Sequence, residues 1–553
     1  MSESWWKRAT VYQIYPKSFN DTTGNGIGDI QGIIQKLDYI KKLGIDVIWL
    51  TPVYQSPQKD NGYDISDYYT IEPMYGTMDD FEQLLDETHE RGMKLIMDLV
   101  INHTSTEHEW FKKAVTSKDN EYRDYYIWKD AVNGAEPTNW QSKFGGSAWQ
   151  FDEKTEQYYL HLFDRTQADL NWENEQLREK LYDMIRFWAK KGIDGFRLDV
   201  INLISKDQRF PNDEHGDGRR FYTDGPRVHE FLHEMNQAVL TPYNMMTVGE
   251  MSSTTLENCI LYTRPDRQEL DMTFQFHHLK VDYPNGEKWT KAPFDFLELK
   301  KILSHWQSGM HEGKGWNALF WCNHDQPRAV SRFGNERKYH VKSAKMLATT
   351  LHMMNGTPYI YQGEEIGMTN PNFTSIHEYR DVESLNAYEN LRLEGKSEQE
   401  IIEILQQKSR DNARTPMQWS ADKNGGFTRA DEPWIPVSTN YPEINVKKSL
   451  EEPNSVFSHY QQLISLRKKY DIITYGDFQL LYKDNPQLFA YTRKWEEETL
   501  VVVNNFYTEE VTVHLPIDKA ERAEILLSNY EDSGLELKSL TLRPYESVVY
   551  YVR

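Results

Sequence analysis

Cysteine is nearly absent: Cys259 and Cys322 are the only two in 553 residues. Two thiols build neither a disulfide framework nor a zinc site of the usual spacing, which fits a reducing compartment. Long apolar runs are missing as well. No stretch of about eighteen apolar residues reads as a membrane span, and the opening Met-Ser-Glu-Ser-Trp-Trp-Lys-Arg lacks the apolar core of a signal peptide. Positive charge is scarce, with 63 Lys and Arg against 85 Asp and Glu and a net charge of −22. That balance disfavours nucleic acid and anionic membranes as partners. It also obliges any anionic substrate to find a local basic patch. Repeats, low-complexity tracts and a Gly-rich phosphate fingerprint in an early βα turn are absent too, which argues against a doubly wound sheet. The expectation is a cytoplasmic monomer that acts on a small molecule.

What is present is alternation. Short apolar runs at Val11–Pro16, Asp46–Leu50, Lys94–Val100, Gly195–Val200, Met245–Glu250, Leu270–Phe276, Trp316–Asn323 and Thr357–Gly363 read as strands. Amphipathic helices are expected between most of them, at Gly32–Leu43, Thr77–Arg91, Glu175–Lys191, Arg227–Val239, Phe294–Gln307 and Val341–Met354. Thr77 is placed to cap one start and Gly44 one end. Eight strands in this rhythm predict an α/β fold, a closed (β/α)8 TIM barrel. The rhythm stops over 104–173, which is polar, aromatic and without a long helical pattern. From about 476 short alternating runs separated by turns predict an antiparallel β-domain. The expected division is a barrel from 1–103 and 174–475, an insertion domain at 104–173 after strand three, and a C-terminal β-sandwich at 476–553.

Catalytic groups of such barrels sit at the C-terminal ends of strands. Here strand three ends in Asp98, Asn102 and His103, strand four in Arg197 and Asp199, strand five in Glu250, and strand seven in Asn323, His324 and Asp325. One strand-end Asp is usually a cap or turn residue. Acids ending strands four, five and seven together, with histidines ending three and seven, point to chemistry. Glycoside hydrolysis needs two carboxyl groups, one to protonate the leaving oxygen and one to attack carbon or activate water. Period two puts Arg197 and Asp199 on one strand face, where the guanidinium would keep Asp199 ionised as a nucleophile. Glu250 ends an apolar strand, where desolvation would hold it protonated as the acid.

The motifs Asp-Leu-Val-Ile-Asn-His (98–103), Gln-Ala-Asp-Leu-Asn (167–171), Gly-Phe-Arg-Leu-Asp-Val (195–200), Val-Gly-Glu (248–250) and Asn-His-Asp (323–325) resemble the α-amylase family of glycoside hydrolases, in its oligo-1,6-glucosidase-like branch. The resemblance runs over essentially the whole chain. It implies a retaining double displacement with Asp199 as nucleophile, Glu250 as acid and base, and Asp325 as transition-state stabiliser. It implies that His103, Arg197 and His324 line the glucose site, that Asp60 and Tyr63 hold the non-reducing sugar, and that Arg414 closes over it. Val200 resembles enzymes of α-1,6 and related bonds. The loop Asp21-Thr-Thr-Gly-Asn-Gly-Ile-Gly-Asp29 matches a calcium loop of the branch, with Asp21, Thr23, Asn25, Ile27 and Asp29 as oxygen donors for a structural Ca²⁺. Thr23 and Asn25 depart from the usual amide and acid there, so a metal-free Gly-rich turn is an equal expectation. No organic cofactor is implied.

After strand six, His277, Lys280 and Lys288 concentrate positive charge in an acidic chain. That segment and 221–231 resemble trehalose-6-phosphate hydrolases. Several cationic donors suit a phosphate, with Arg219, Arg220 and Lys291 as further candidates. The implied reaction is hydrolysis of α,α-trehalose 6-phosphate, a phosphorylated disaccharide, to glucose and glucose 6-phosphate. The alternatives are an oligo-1,6-glucosidase without phosphate preference, a transglucosidase or isomerase, and a non-catalytic sugar-binding scaffold. The last would be expected to lack one of the three acids.

Overall fold

The protein is described from a computed structural model covering residues 4–515, 523–535 and 537–553. The first three residues of the N-terminal run considered above lie outside that range. Eight parallel strands form the central sheet: β1 (Val11–Ile14), β2 (Val47–Leu50), β3 (Lys94–Leu99), β4 (Gly195–Leu198), β5 (Met246–Glu250), β6 (Met272–Phe274), β7 (Ala318–Leu319) and β8 (Thr357–Tyr361). Each pairs with its neighbours in chain order, and β1 pairs with β8. A parallel bridge between Thr273 and Asn317 joins β6 to the entry of β7, so the ring closes. The strands are buried almost throughout, as sheets covered by helices on the outside must be. Gly195 permits the tight β4–β5 approach, since a Cβ there would stand 2.0 Å from the Met246 carbonyl oxygen.

Local chemistry sets the helices. Thr77 and Asp80 exchange capping bonds at the start of the helix Met78–Glu90. Asn174 caps the helix Glu175–Lys191, and Gly192 at φ +103° ends it. The helix expected over Gly32–Leu43 is instead two pieces, Ile30–Ile34 and Leu37–Leu43. Asp29 caps the first, which is clamped to the preceding loop at Gly32, where a Cβ would fall 1.9 Å from the Asn20 oxygen. The chain leaves helical geometry at Lys36 before restarting. Strand seven is far shorter than the expected Trp316–Asn323, because the chain peels inward after Leu319 to deliver Asn323, His324 and Asp325 to the barrel mouth.

Between β3 and β4 the chain forms a roof. It carries a three-stranded antiparallel sheet of Trp128–Lys129, Gln157–Leu160 and Trp149–Asp152. A small cluster including Trp140, Trp149, Phe210 and Tyr222 packs it against the loop after β4. Past the barrel, a five-stranded antiparallel sheet is built from 479–505, 523–528 and 547–552. Among the described residues no helix is long and apolar enough to cross a membrane.

Candidate active site

Register at the C-terminal rim decides which side chains meet. Arg197 of β4 stands opposite Asp98 of β3 and Val248 of β5, and Leu198 opposite Gly249. One step further along, Asp199 and Glu250 stand side by side. Arg197 is 1% exposed. Its Nη1 donates to Asp98 Oδ1 and Asp199 Oδ1, both at 2.6 Å, and its Nη2 to Glu250 Oε2 at 2.5 Å. The carboxyl groups of Asp199 and Glu250 also lie within hydrogen-bonding reach of each other. Carboxyls so close suit direct attack on carbon, since an in-line water needs acids about 6.5–9.5 Å apart.

Burial dominates both acids. It pushes Glu250 up to about 8, with Arg197 opposing and the fields of Asp199 and Asp325 adding to it. Burial also raises Asp199; Arg197 lowers it but does not prevail, because Asp98 adds a second negative field. The sequence reading that Arg197 alone sets Asp199 is therefore incomplete. The order remains the one that glycoside cleavage needs, with Glu250 holding its proton to higher pH. Val200, directly after Asp199, has φ +38° and ψ 39°, a rare conformation for a β-branched residue. The turn aims its N–H at Glu250 Oε2, 3.2 Å away.

A second knot of charge lies across the cavity. Asp325 Oδ1 accepts from Arg414 Nη2 at 2.7 Å and from Arg410 Nη1 at 3.3 Å. Burial would raise Asp325, but the fields of His324, Arg410 and Arg414 outweigh it and hold the carboxyl far below its ordinary value. Gln13 Nε2 donates to His324 Nδ1 at 2.8 Å, which leaves the proton on Nε2, 3.3 Å from Asp325 Oδ2. The His324 ring stacks on Tyr63 at 5.2 Å, and burial pulls its pKa down to about 3. His103 is likewise neutral, lowered by burial to about 4, with Nε2 3.1 Å from the Tyr63 carbonyl. Asp60 accepts from Arg410 Nη2 and Gln167 Nε2, each at 3.1 Å, and burial lifts it to about 7.

The sequence-derived residues Asp60, Tyr63, His103, Arg197, Asp199, Glu250, His324, Asp325 and Arg414 are thus brought together around one cavity. Arg414 is 1% exposed, with Nε on the His324 carbonyl at 2.9 Å and Nη2 on Asp325 Oδ1 at 2.7 Å, so both residues hold it. Sequence reasoning missed Arg410, which links Asp60, Asp325 and Asp381, and also Gln167 and the structural part played by Asp98. The signal was there: Arg410 opens the same Arg-Asp-Asn-Ala-Arg run as Arg414, and Gln167 opens its own motif.

The basic residues after β6 divide. Lys280 is exposed, and its Nζ has no hydrogen-bond or ion-pair partner among the described residues. Lys288 is tied to Glu383 at 2.6 Å. His277 stacks on Trp306 and has Nε2 2.8 Å from the Thr254 carbonyl, and burial lowers its pKa. It therefore adds no fixed positive charge at neutral pH, contrary to the sequence reading. Arg220 and Lys291 are paired with Asp213 and Glu403.

In the loop 21–29, Asp21 accepts from the N–H groups of Thr23, Gly24 and Gly26, Asn25 Oδ1 from that of Ile27, and Asp29 from those of Thr22 and Gly32. These side-chain oxygens thus accept from N–H groups in and beside the turn itself. Among the described residues no group of three or more His, Cys, Asp or Glu is arranged to hold a metal. No step below uses a metal ion.

Comparison with known proteins agrees with this geometry. The alpha-amylase catalytic-domain profile matches residues 13–476, and that of the alpha-amylase SusG C-terminal domain matches 488–549. A trehalose-6-phosphate hydrolase of Bacillus subtilis is 66% identical, over 99% of this chain and 98% of its own. An oligo-1,6-glucosidase of Parageobacillus thermoglucosidasius is 56% identical over the whole of both. The crystal structure of the Bacillus licheniformis trehalose-6-phosphate hydrolase superposes with a TM-score of 0.96 at 65% identity, covering 100% of both chains. With its two acids joined on one buried arginine at the mouth of a closed barrel, the chain belongs to the alpha-amylase family of glycoside hydrolases.

Proposed function

We propose that this enzyme hydrolyses α,α-trehalose 6-phosphate to glucose and glucose 6-phosphate with retention at the anomeric carbon. The observation that carries the chemistry is Arg197 holding Asp199 and Glu250 together. In the first step an Asp199 carboxylate oxygen bonds to C1 of the glucose as the C1–O bond breaks, and the Glu250 proton passes to the leaving oxygen. In the second, water attacks C1 and gives its proton to Glu250, and the ester to Asp199 breaks. Asp325 and its two arginines grip the sugar hydroxyls, most strongly as charge develops. The phosphorylated sugar leaves with the Glu250 proton, and Lys280, which has no counter-ion among the described residues, is available to its phosphate. The substrate of the Bacillus relatives supports the same reading.

A second reading is an oligo-1,6-glucosidase. It is favoured by Lys288 and His277 being engaged by Glu383 and the Thr254 carbonyl, which leaves the rim less basic than the sequence alone suggests. Initial rates on trehalose 6-phosphate, trehalose and isomaltose decide between the two. The proposal expects trehalose 6-phosphate to be preferred by a wide margin. Equal or faster turnover of isomaltose selects the second reading.

A further inference from the structure

Lys143 belongs to the roof, outside every motif discussed above. Its backbone N–H bonds the Leu162 carbonyl at 2.8 Å, and the next residue, Phe144, packs edge-on against Phe163 over the cavity and faces the Arg410 guanidinium. The Lys143 side chain reaches down to Ser252, with Nζ 3.0 Å from Oγ. Ser252 is two residues beyond Glu250 and is itself fixed through backbone N–H and C=O by the Asn202 amide. The ammonium is thus pinned to the residue two positions beyond the acid, within reach of its field.

Among the described residues no carboxylate pairs with it. Its one hydrogen bond goes to a neutral hydroxyl, and Tyr222 lies under it at 5.5 Å. The charges that act on it are Arg219, Lys280, Asp217 and Glu250. Lys280 has no partner among the described residues, and Arg219 is offset by Asp217 at 3.0 Å. Two lysines with no carboxylate partner among the described residues and an arginine, from three separate segments, therefore act on one another in a chain of net charge −22. Such a cluster is self-repelling: burial, with Arg219 and Lys280, pulls the Lys143 pKa down to about 7. An anion bound among the three would remove that repulsion, and several cationic donors at once are what a phosphate monoester needs.

We propose that Lys143 is a specificity residue that binds the phosphate of the leaving sugar together with Lys280 and Arg219. It would read that group from the roof, while Ser252 keeps it in line with Glu250. This assignment rests on the phosphorylated-substrate reading above and adds a residue from the insertion to it.

The test compares wild type with Lys143→Met and with Lys143→Gln, which keeps a polar end for Ser252. The quantity is the ratio of kcat/KM for trehalose 6-phosphate to that for p-nitrophenyl α-glucoside, in enzyme whose thermal unfolding shows it to be folded. Both variants are expected to lower this ratio about 10–100-fold, chiefly through KM. They should also flatten the dependence of KM on salt. A loss shared equally by the two substrates, or an unchanged ratio, overturns the assignment. A wild-type enzyme that fails to prefer trehalose 6-phosphate to trehalose overturns the substrate reading itself. A strong wild-type preference that survives in both variants overturns only Lys143.

Discussion

The backbone N–H of Val200 donates to Glu250 Oε2 at 3.2 Å from a valine held at φ +38°. A β-branched residue stays in that region only when its surroundings enforce it, against a cost of order 1–3 kcal/mol. Here the preceding Leu198 is fixed by pairing on both sides, and the following turn closes from Leu203 N–H to the Val200 oxygen at 2.9 Å. The side chain packs into the roof cluster. The strained turn therefore connects the nucleophile's strand to the acid's carboxyl. Glu250 receives this N–H and the Arg197 guanidinium, which favour its anion, while burial favours its acid. Burial prevails.

That balance predicts the pH profile. Turnover needs Asp199 ionised and Glu250 protonated. Both carboxyls are raised by burial, so kcat/KM should climb as pH passes the raised pKa of Asp199 and fall as it passes that of Glu250, about 8. The phosphate of the proposed substrate titrates at about 6, on the acid side, and loss of the Lys143 proton at about 7 would weaken phosphate binding on the alkaline side, so the Glu250 limb is read in the Lys143→Met background. Glu250→Gln should abolish that limb along with most activity on trehalose 6-phosphate. A limb of unchanged position in the residual activity of the variant would assign it to another group.

Covalent catalysis predicts a trapped ester. A slow fluorinated α-glucosyl fluoride should inactivate the enzyme one-to-one, and mass spectrometry of the digest should place the label on the peptide carrying Asp199. Asp199→Asn should lose on the order of 10⁴-fold or more in kcat and take no label. Labelling elsewhere, or a product of inverted configuration by NMR, would refute the double displacement.

The barrel and its acids were legible because both rest on short-range pattern. Apolar runs of four to six residues ending in polar groups mark strands, and strand-end acids on a barrel must converge. What failed was long-range pairing. Lys288 finds Glu383, and Arg410 finds Asp60, 350 positions away. Nothing local to Lys288 says that its charge is already answered, and nothing local to Lys143 says that its charge is not. Strand seven read too long because Phe320–Cys322 is as apolar as a strand, yet the chain there turns toward the site. The Gly32–Leu43 helix read as continuous because its periodicity is sound; the clamp at Asn20 that breaks it is tertiary.

The loop 21–29 predicts indifference to chelators. Its carboxylate and amide oxygens already accept from N–H groups of the same turn, and Asp21 also accepts from the Thr428 hydroxyl. Removing a tightly bound cation would lower thermal stability by mass action. Dialysis against EDTA should leave the melting temperature within about 1 °C and the rate unaltered. A fall of several degrees, restored by Ca²⁺, would show that the turn holds a metal and rearranges to do so.

Arg410 offers the sharpest separation of stability from chemistry. The residue is 7% exposed, and its guanidinium meets Asp381 at 2.5 Å, Asp60 at 3.1 Å, Asp325 at 3.3 Å and Glu383 at 3.4 Å. Arg410→Ala strands these acids around an empty space. Removing one partner of a buried ion pair costs about 3–5 kcal/mol, and urea unfolding should show a loss of that size. Arg410→Lys should recover little of it, because one ammonium cannot span four carboxylates as a planar fork does. The variant Arg410→Ala with Asp381→Asn should regain part of the stability, since Asp381 is then no longer an uncompensated charge, although Arg414 at 3.5 Å already offsets some of it. Its activity should not return in step, because Asp60 and Asp325 still lack the group that orients them. Measured at a temperature where both variants are fully folded, kcat/KM should stay down by at least about 100-fold. Recovery of activity in parallel with stability would mean that Arg410 only holds the fold, and that Asp325 is positioned by Arg414 alone.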